Sequence, residues 1–208
     1  RSRLTGGVGM TTETMSLFFG LLTVAANLAV LSLVVLAVSA RRSQRAADLL
    51  ADVRALLSEH GLTFAWAVAA VATLGSLYYS EIAHFVPCKL CWYQRIAMYP
   101  LAITLGIAAW RRDLAFRVYA LPVVAVGATI SIYHYLQQRF PDLASSSCDP
   151  TAPCTLTWVW QFHYISIPFM ALSAFALIAT LLALIPKTGI TTARSDEPAI
   201  DELERSLV

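Results

Sequence analysis

Two cysteines with two residues between them, Cys88 and Cys91, lie where a polar segment meets an apolar one. A C-x-x-C pair is the common dithiol/disulfide redox unit, and a nearby cation or a helix N-terminus favours its reactive thiolate form. Arg95 follows four residues after Cys91, at the head of an apolar helix. A charge at that position is costly unless it has a function or a route to the membrane interface. Together the three residues indicate redox chemistry at a membrane surface.

A second cysteine pair, Cys148 and Cys154, lies in a later polar segment with five residues between its members. Two pairs in segments on one side of a membrane predict an electron relay, in which each step is a thiolate attacking a disulfide. Two alternatives stay open: static disulfides that staple the loops, and a zinc site formed by the four thiolates. The small, strained ring that a C-x-x-C disulfide closes is easily reduced, which favours the relay. Haem attachment is excluded because Trp92, not histidine, follows Cys91.

A relay needs a final electron acceptor. The sequence has no haem or flavin motif, so a lipid-soluble quinone is the predicted acceptor, with Arg95 able to hydrogen-bond a quinone carbonyl. His134 and Arg95 each lie three residues from the end of an apolar segment, or about 4.5 Å deep at 1.5 Å per residue. We therefore expect both to flank one pocket. The alternatives are that Arg95 reaches the lipid headgroups and that His134 bonds an interfacial loop.

Long apolar segments must position these residues. Of 208 residues, 58% are hydrophobic and 13% are charged, far more apolar than a soluble domain. A membrane-spanning helix needs about 20 apolar residues. Five segments qualify and predict an all-α integral membrane protein: 16–40, 62–80, 92–110, 118–137 and 166–185. The net charge of +2, without a basic patch between aromatic residues, argues against a nucleic-acid partner.

The basic residues predict the orientation, because short cytoplasmic loops are rich in Lys and Arg. Ten of the 15 Lys and Arg residues lie between the first and second segments, between the third and fourth, or in the C-terminal tail. This arrangement predicts a multi-pass protein of the cytoplasmic membrane, with both cysteine loops on the oxidising, extracytoplasmic side. A cleaved signal peptide is the alternative for the first segment. Its 25-residue apolar run is too long, and Arg41 and Arg42 follow as a stop signal.

The chain divides into five predicted regions. Residues 1–15 form an extracytoplasmic N-terminal extension, and 16–40 form an extra transmembrane helix. Residues 41–61 form a cytoplasmic amphipathic helix ended by Gly61. This helix either lies on the inner leaflet or is a plain connector. Residues 62–186 form the redox domain, and 187–208 form an acidic cytoplasmic tail.

Three stretches resemble one known family. Residues 85–100 (FVPCKLCWYQRIAMYP), 131–137 (SIYHYLQ) and 165–171 (ISIPFMA) are similar to motifs of the DsbB/BdbC family of disulfide-bond-formation proteins, particularly its BdbC-like branch. The resemblance spans roughly 62–186. It implies a four-helix transmembrane bundle that oxidises a DsbA-like, thioredoxin-fold thiol oxidase and reduces a membrane quinone, either ubiquinone or menaquinone. The extra helix 16–40 and the segment that follows it lie outside this family core.

The resemblance also implies a role for each site residue. Cys88 and Cys91 correspond to the quinone-proximal pair, Cys148 and Cys154 to the pair that exchanges with the partner, Arg95 to the quinone-site arginine, and His134 to a quinone-contacting histidine of some members. Two other classes stay open. In vitamin K epoxide reductase-like enzymes the loop pair precedes the C-x-x-C, the reverse of the order here. A non-enzymatic membrane scaffold with disulfide-stapled loops is the third possibility.

Overall fold

The protein is described by a computed structural model that covers residues 5–143, 148 and 152–186; for 5–11 and 143 it describes the backbone alone. The described part folds into five α-helices and short helical turns, with no β-strand beyond one isolated bridge between Gln161 and Ile165. The helices are α1 (Thr5–Ser39), α2 (Gln44–Leu77), α3 (Lys89–Arg111), α4 (Arg117–Arg139) and α5 (Ile167–Leu184). The all-helical prediction is confirmed. The predicted tail 187–208 lies outside the described residues.

Four described helical segments are long and apolar enough to cross a membrane: Thr12–Ser39, Gln44–Ile82, Leu114–Arg139 and Ile167–Leu184. They confirm a multi-pass membrane protein. The predicted fifth span, α3, is not among them, because its first turns carry Lys89, Gln94 and Arg95. With 23 residues, α3 is nevertheless about 34 Å long at 1.5 Å per residue, enough for hydrocarbon of about 30 Å. It also packs against α2 and α4, and we treat it as the fifth span.

Helices α2 to α5 pack in a closed ring, each against the next, with α5 returning to α2. Apolar side chains fill its centre, including Leu105 of α3, Val124 of α4 and Phe175 of α5. Gly127 of α4 lies directly against the Phe175 ring, where a methyl group would collide. Small residues at such crossings let membrane helices approach closely. The ring fixes the ends of α3 and α4, which carry the candidate site.

The predicted helix end at Gly61 is wrong, because α2 continues unbroken from Gln44 to Leu77. Gly61 instead allows Ile185 to approach: an added Cβ would lie 2.9 Å from the Ile185 side chain. Leu50 and Leu57, on the apolar face of the predicted linker helix, are buried in the main hydrophobic cluster. That face therefore packs on protein, which favours a connector over a helix lying on the inner leaflet.

The extra helix α1 begins at Thr5, upstream of the predicted start at residue 16. It packs against α5 and α2. The Asn27 amide donates a 3.0 Å hydrogen bond to Ser173 Oγ on α5, and the Tyr79 hydroxyl donates one of 3.2 Å to Ser16 Oγ. These bonds join α1 to the ring of helices at two depths.

Candidate functional site

The C-x-x-C pair lies at the start of α3. Cys88 is the N-cap residue with an extended backbone, and its Sγ accepts a 3.4 Å hydrogen bond from the N–H of Cys91. The N–H groups of a first turn lack partners within the helix and carry partial positive charge. A sulfur at this position is therefore favoured as a thiolate. The two Sγ atoms lie 3.0 Å apart, so a disulfide between them needs only a small movement.

A buried histidine on α4 completes the surroundings of Cys88. The Nε2 atom of His134 lies 3.5 Å from Cys88 Sγ and 3.1 Å from the carbonyl oxygen of Cys154. Its Nδ1 atom lies 3.2 Å from the side-chain nitrogen of Gln94. Because the Gln94 amide can only donate there, Nδ1 accepts and the proton of the neutral ring sits on Nε2. His134 thus donates towards both the Cys88 sulfur and the Cys154 carbonyl.

The hydrogen bond from the Cys91 thiol lowers the pKa of Cys88 most, and His134 lowers it further. Burial acts in the opposite direction, and the outcome is a pKa of about 4. Cys88 precedes α3 and lies outside the membrane spans. The reduced pair therefore carries a thiolate on Cys88 at neutral pH, which makes this cysteine a good leaving group and a ready nucleophile.

The Cys88 thiolate should persist in acid when the pair is reduced. Because its pKa is depressed, the thiolate is present above about pH 4 and is lost as the pH falls through that value. Thiolate ultraviolet absorbance during a pH titration measures this, with Cys88→Ser as the control that assigns the signal. Replacing His134 by alanine should raise the midpoint. A midpoint near the ordinary value of about 8.5 in the unsubstituted protein would contradict the assignment.

The second pair forms a disulfide beside the first pair. Cys148 and Cys154 are bonded, with Cα atoms 6.0 Å apart. Cys154 is buried in one small cluster with Cys88, against which Cys91 and Cys148 pack. The structure therefore brings the four predicted cysteines together, although 56 residues lie between Cys91 and Cys148 in the sequence.

A four-thiolate zinc site does not fit this arrangement, because Cys148 and Cys154 are bonded to each other. Cys88, Cys91 and His134 do offer three ligand atoms within 4.8 Å of one another. Both ring nitrogens of His134 are already engaged, however, by Gln94 and by the Cys154 carbonyl. A dithiol next to a disulfide is suited to thiol–disulfide exchange.

Arg95 points to α2 and contacts Ser76. Its Nε donates to Ser76 Oγ at 3.0 Å, and Nη2 donates to the Ser76 carbonyl at 3.1 Å. The Tyr99 hydroxyl donates to the same Ser76 Oγ at 3.2 Å. The guanidinium also lies 5.3 Å from the centre of the Trp92 ring, a favourable cation–π distance. These contacts hold the charge one turn below the cysteines.

Arg95, Cys91 and Gln94 lie at the polar end of a cavity of about 500 Å³ between α1, α2, α3 and α5. Its other lining residues are mostly apolar. His134 does not line this cavity; it lines a smaller one together with Cys88. The single pocket expected for Arg95 and His134 is thus two neighbouring cavities, because Arg95 turns towards α2 while His134 comes from α4. Cys91 lines both cavities, whereas Cys88 lines only the smaller one.

Sequence reasoning missed two residues that hold this site together. Gln94 bonds His134 and also lines the large cavity. Its position beside Arg95, inside an otherwise apolar helix, was a usable signal. Ser76 positions Arg95, but a serine on a neighbouring helix carries no signal of its own.

Comparisons with known proteins identify the family. Residues 58–185 match the family model described as "Disulfide bond formation protein DsbB". Disulfide bond formation protein C of Bacillus subtilis (strain 168) is 49% identical over 121 residues, covering 58% of this chain and 88% of the relative. Probable disulfide formation protein C 1 of Bacillus anthracis is 44% identical over 131 residues, covering 62% and 94%. The probable disulfide formation protein of Coxiella burnetii (strain RSA 493 / Nine Mile phase I) is 45% identical over 132 residues, covering 62% and 90%. No solved structure matches significantly.

Proposed function

The chain belongs to the DsbB family of disulfide bond formation proteins, and on that premise we propose that it is a membrane thiol:quinone oxidoreductase. It re-oxidises a DsbA-like, thioredoxin-fold oxidase on the extracytoplasmic side of the cytoplasmic membrane. The two thiols of the partner become a disulfide, and their two electrons and two protons convert a ubiquinone or menaquinone to the quinol. The observation that carries the proposal is a cluster of four cysteines that adjoins a cavity with Arg95 at its polar end.

The exposure of the loop disulfide suggests the order of exchange. Cys148 is half-buried and Cys154 is buried, so a partner thiolate attacks Cys148 and releases the Cys154 thiolate. The second partner thiol then displaces Cys148 and leaves as a disulfide. Cys154, packed beside Cys88, attacks Cys88 to form a Cys88–Cys154 disulfide and releases the Cys91 thiolate. The Cys148 thiol then attacks Cys154, which closes the loop disulfide again and releases the Cys88 thiolate. The electrons now reside on Cys88 and Cys91.

The acceptor side is assigned to Cys91 and Arg95, because both line the large cavity. A bound quinone supplies an acceptor for two electrons and two protons. The Arg95 guanidinium is fixed by Ser76 and can donate to a carbonyl oxygen on which negative charge develops. On the other side of the pair, His134 and the helix N-terminus stabilise the Cys88 thiolate. The polar end and apolar body of the cavity fit a quinone with its hydrocarbon chain.

The basic residues support the proposed orientation. Arg41 and Arg42 lie between α1 and α2, Arg111 is the last residue of α3, and Arg112 follows it before α4. These loops are at the opposite ends of the helices from the cysteines, which agrees with cytoplasmic basic loops and extracytoplasmic cysteines. The oxidising compartment keeps the loop disulfide formed.

The test is quinol formation by purified protein in detergent, given a reduced thioredoxin-fold donor and a quinone. We expect one quinol for each donor disulfide formed. A double variant, Cys148→Ser with Cys154→Ser, is the control, because it keeps the helix pair but has no disulfide for the donor to attack. If the unsubstituted protein forms no quinol with several donors and with both quinone classes, a scaffold with disulfide-stapled loops is the better interpretation.

A further inference from the structure

One wall of the large cavity comes from α1, the helix that precedes the family core. The family model begins at residue 58, whereas α1 ends at Ser39. Six α1 residues line the cavity: Phe19, Leu22, Thr23, Ala25, Ala26 and Ala29. Part of the proposed acceptor cavity is therefore built from sequence that lies outside the matched family region.

Specific contacts fix α1 in this position. Asn27 donates to Ser173 on α5, and Ser16 accepts from Tyr79. The Phe19 ring packs against Gly75 of α2, where an added Cβ would lie 2.9 Å from the ring. Polar side chains within the bilayer are costly without partners. These bonds therefore favour the docked position of α1 over a helix that separates into lipid.

The cavity is long as well as apolar. Its α1 wall extends from Phe19 to Ala29, about 15 Å at 1.5 Å per residue, and its α5 wall extends equally far, from Ile167 to Leu177. This is about half the thickness of the hydrocarbon core. Cys91, Gln94 and Arg95 come from the first two turns of α3 and so lie towards one end. Farther along, the hydroxyls of Thr23 and Ser173 are bonded to carbonyls of their own helices. A redox-active ring needs only that end, so the remaining length suits a hydrocarbon chain attached to the ring.

We propose that α1 is a specificity-determining wall, and that Ala25, Ala26 and Ala29 leave the space in which the prenyl chain of the quinone lies. The proposal rests on the proposed function and adds a binding role for the extra helix. It follows that α1 selects quinones by their chain, while Arg95 and Cys91 contact the ring. Filling the space beside α1 should weaken binding of prenylated quinones and leave the cysteine chemistry intact.

The test uses the full chain with Ala26→Phe, which fills the cavity, and Ala29→Leu as a milder second variant. Leu28→Phe is the matched control, since Leu28 does not line the cavity and is 59% exposed. KM is measured for a long-chain prenylated quinone and for the same ring without a prenyl chain (ubiquinone-0 or menadione). Stoichiometric oxidation of a reduced donor by the oxidised protein, without quinone, reports correct folding and exchange.

We expect Ala26→Phe to raise KM for the prenylated quinone about tenfold, because the added ring takes space that the prenyl chain needs. KM for the chainless quinone and donor oxidation should stay unchanged, and Leu28→Phe should behave as the unsubstituted protein. Equal effects on the two quinones, or none on the prenylated one in either alanine variant, would overturn the role of α1. If the unsubstituted protein reduced no quinone, this would instead contradict the proposed function, on which the role of α1 depends.

Discussion

Replacing Cys91 by serine is expected to stop quinol formation and to trap a disulfide between Cys88 and Cys154. Cys91 is the cysteine of its pair that lines the large cavity, so its loss removes the group facing the acceptor. Loss of an essential nucleophile costs a thousandfold or more, on the order of 10³ to 10⁶ in rate. The remaining Cys88 thiolate adjoins the loop disulfide and can attack Cys154, which releases the Cys148 thiol. Without Cys91, only the released Cys148 thiol can reverse this step, and no forward step towards the acceptor remains.

Two measurements check this expectation. Quinol formation reports turnover, and mass spectrometry of peptides from non-reduced protein identifies the trapped bond. Cys88→Ser is the matched variant: it should also lose turnover, but without a Cys88 sulfur it should leave Cys148 and Cys154 bonded to each other. If Cys91 in that variant joined Cys154 instead, the assignment of Cys88 to the disulfide and of Cys91 to the cavity would be reversed.

The residues of the redox centre that are close in sequence were the easiest to predict. Cys88, Cys91 and Arg95 fall within two helical turns, so a single local pattern contains their types, spacing and position at a helix start. The same stretch resembles the family that the comparisons then confirmed. Local sequence was sufficient here because the helix itself sets the relative positions of these side chains.

Contacts between helices were less accessible to sequence reasoning. The depth of His134 follows from its distance to a helix end, but its neighbours depend on the rotation of α4 against α3. The structure turns it to Cys88, Gln94 and the Cys154 carbonyl. Ser76 was missed for the same reason, since its contact with Arg95 depends on the packing of α2 against α3.

Tertiary packing also overruled local preference. Glycine inside a helix costs about 1 kcal/mol relative to alanine, which is why Gly61 predicts a helix end. The close approach of Ile185 gives that glycine a packing role within an unbroken helix. The alanines of α1 look in sequence like ordinary apolar filling of a membrane helix. Only their position along the cavity gives them a candidate function.

Arg95→Gln is expected to lower kcat/KM for the quinone by about 10- to 100-fold, the equivalent of losing a hydrogen bond to a charged group. The change should leave quinone-independent oxidation of a donor intact, because the loop disulfide and Cys88 lie away from the guanidinium. Arg95→Lys keeps the charge but not the paired hydrogen bonds to Ser76, so an intermediate loss is expected. Steady-state quinol formation at varied quinone concentration separates kcat from KM.

Ser76→Ala tests whether the direction of the Arg95 guanidinium matters in addition to its charge. It retains Arg95 but removes the hydroxyl that both Arg95 Nε and the Tyr99 hydroxyl contact, so we expect a loss of kcat/KM smaller than that of Arg95→Gln. A headgroup-anchoring arginine makes a different prediction: glutamine and lysine variants would both reduce quinone normally, and Ser76→Ala would have no effect. Graded losses across the three variants would therefore assign Arg95 to the acceptor itself, because only a group in contact with the reacting ring requires both its charge and its direction.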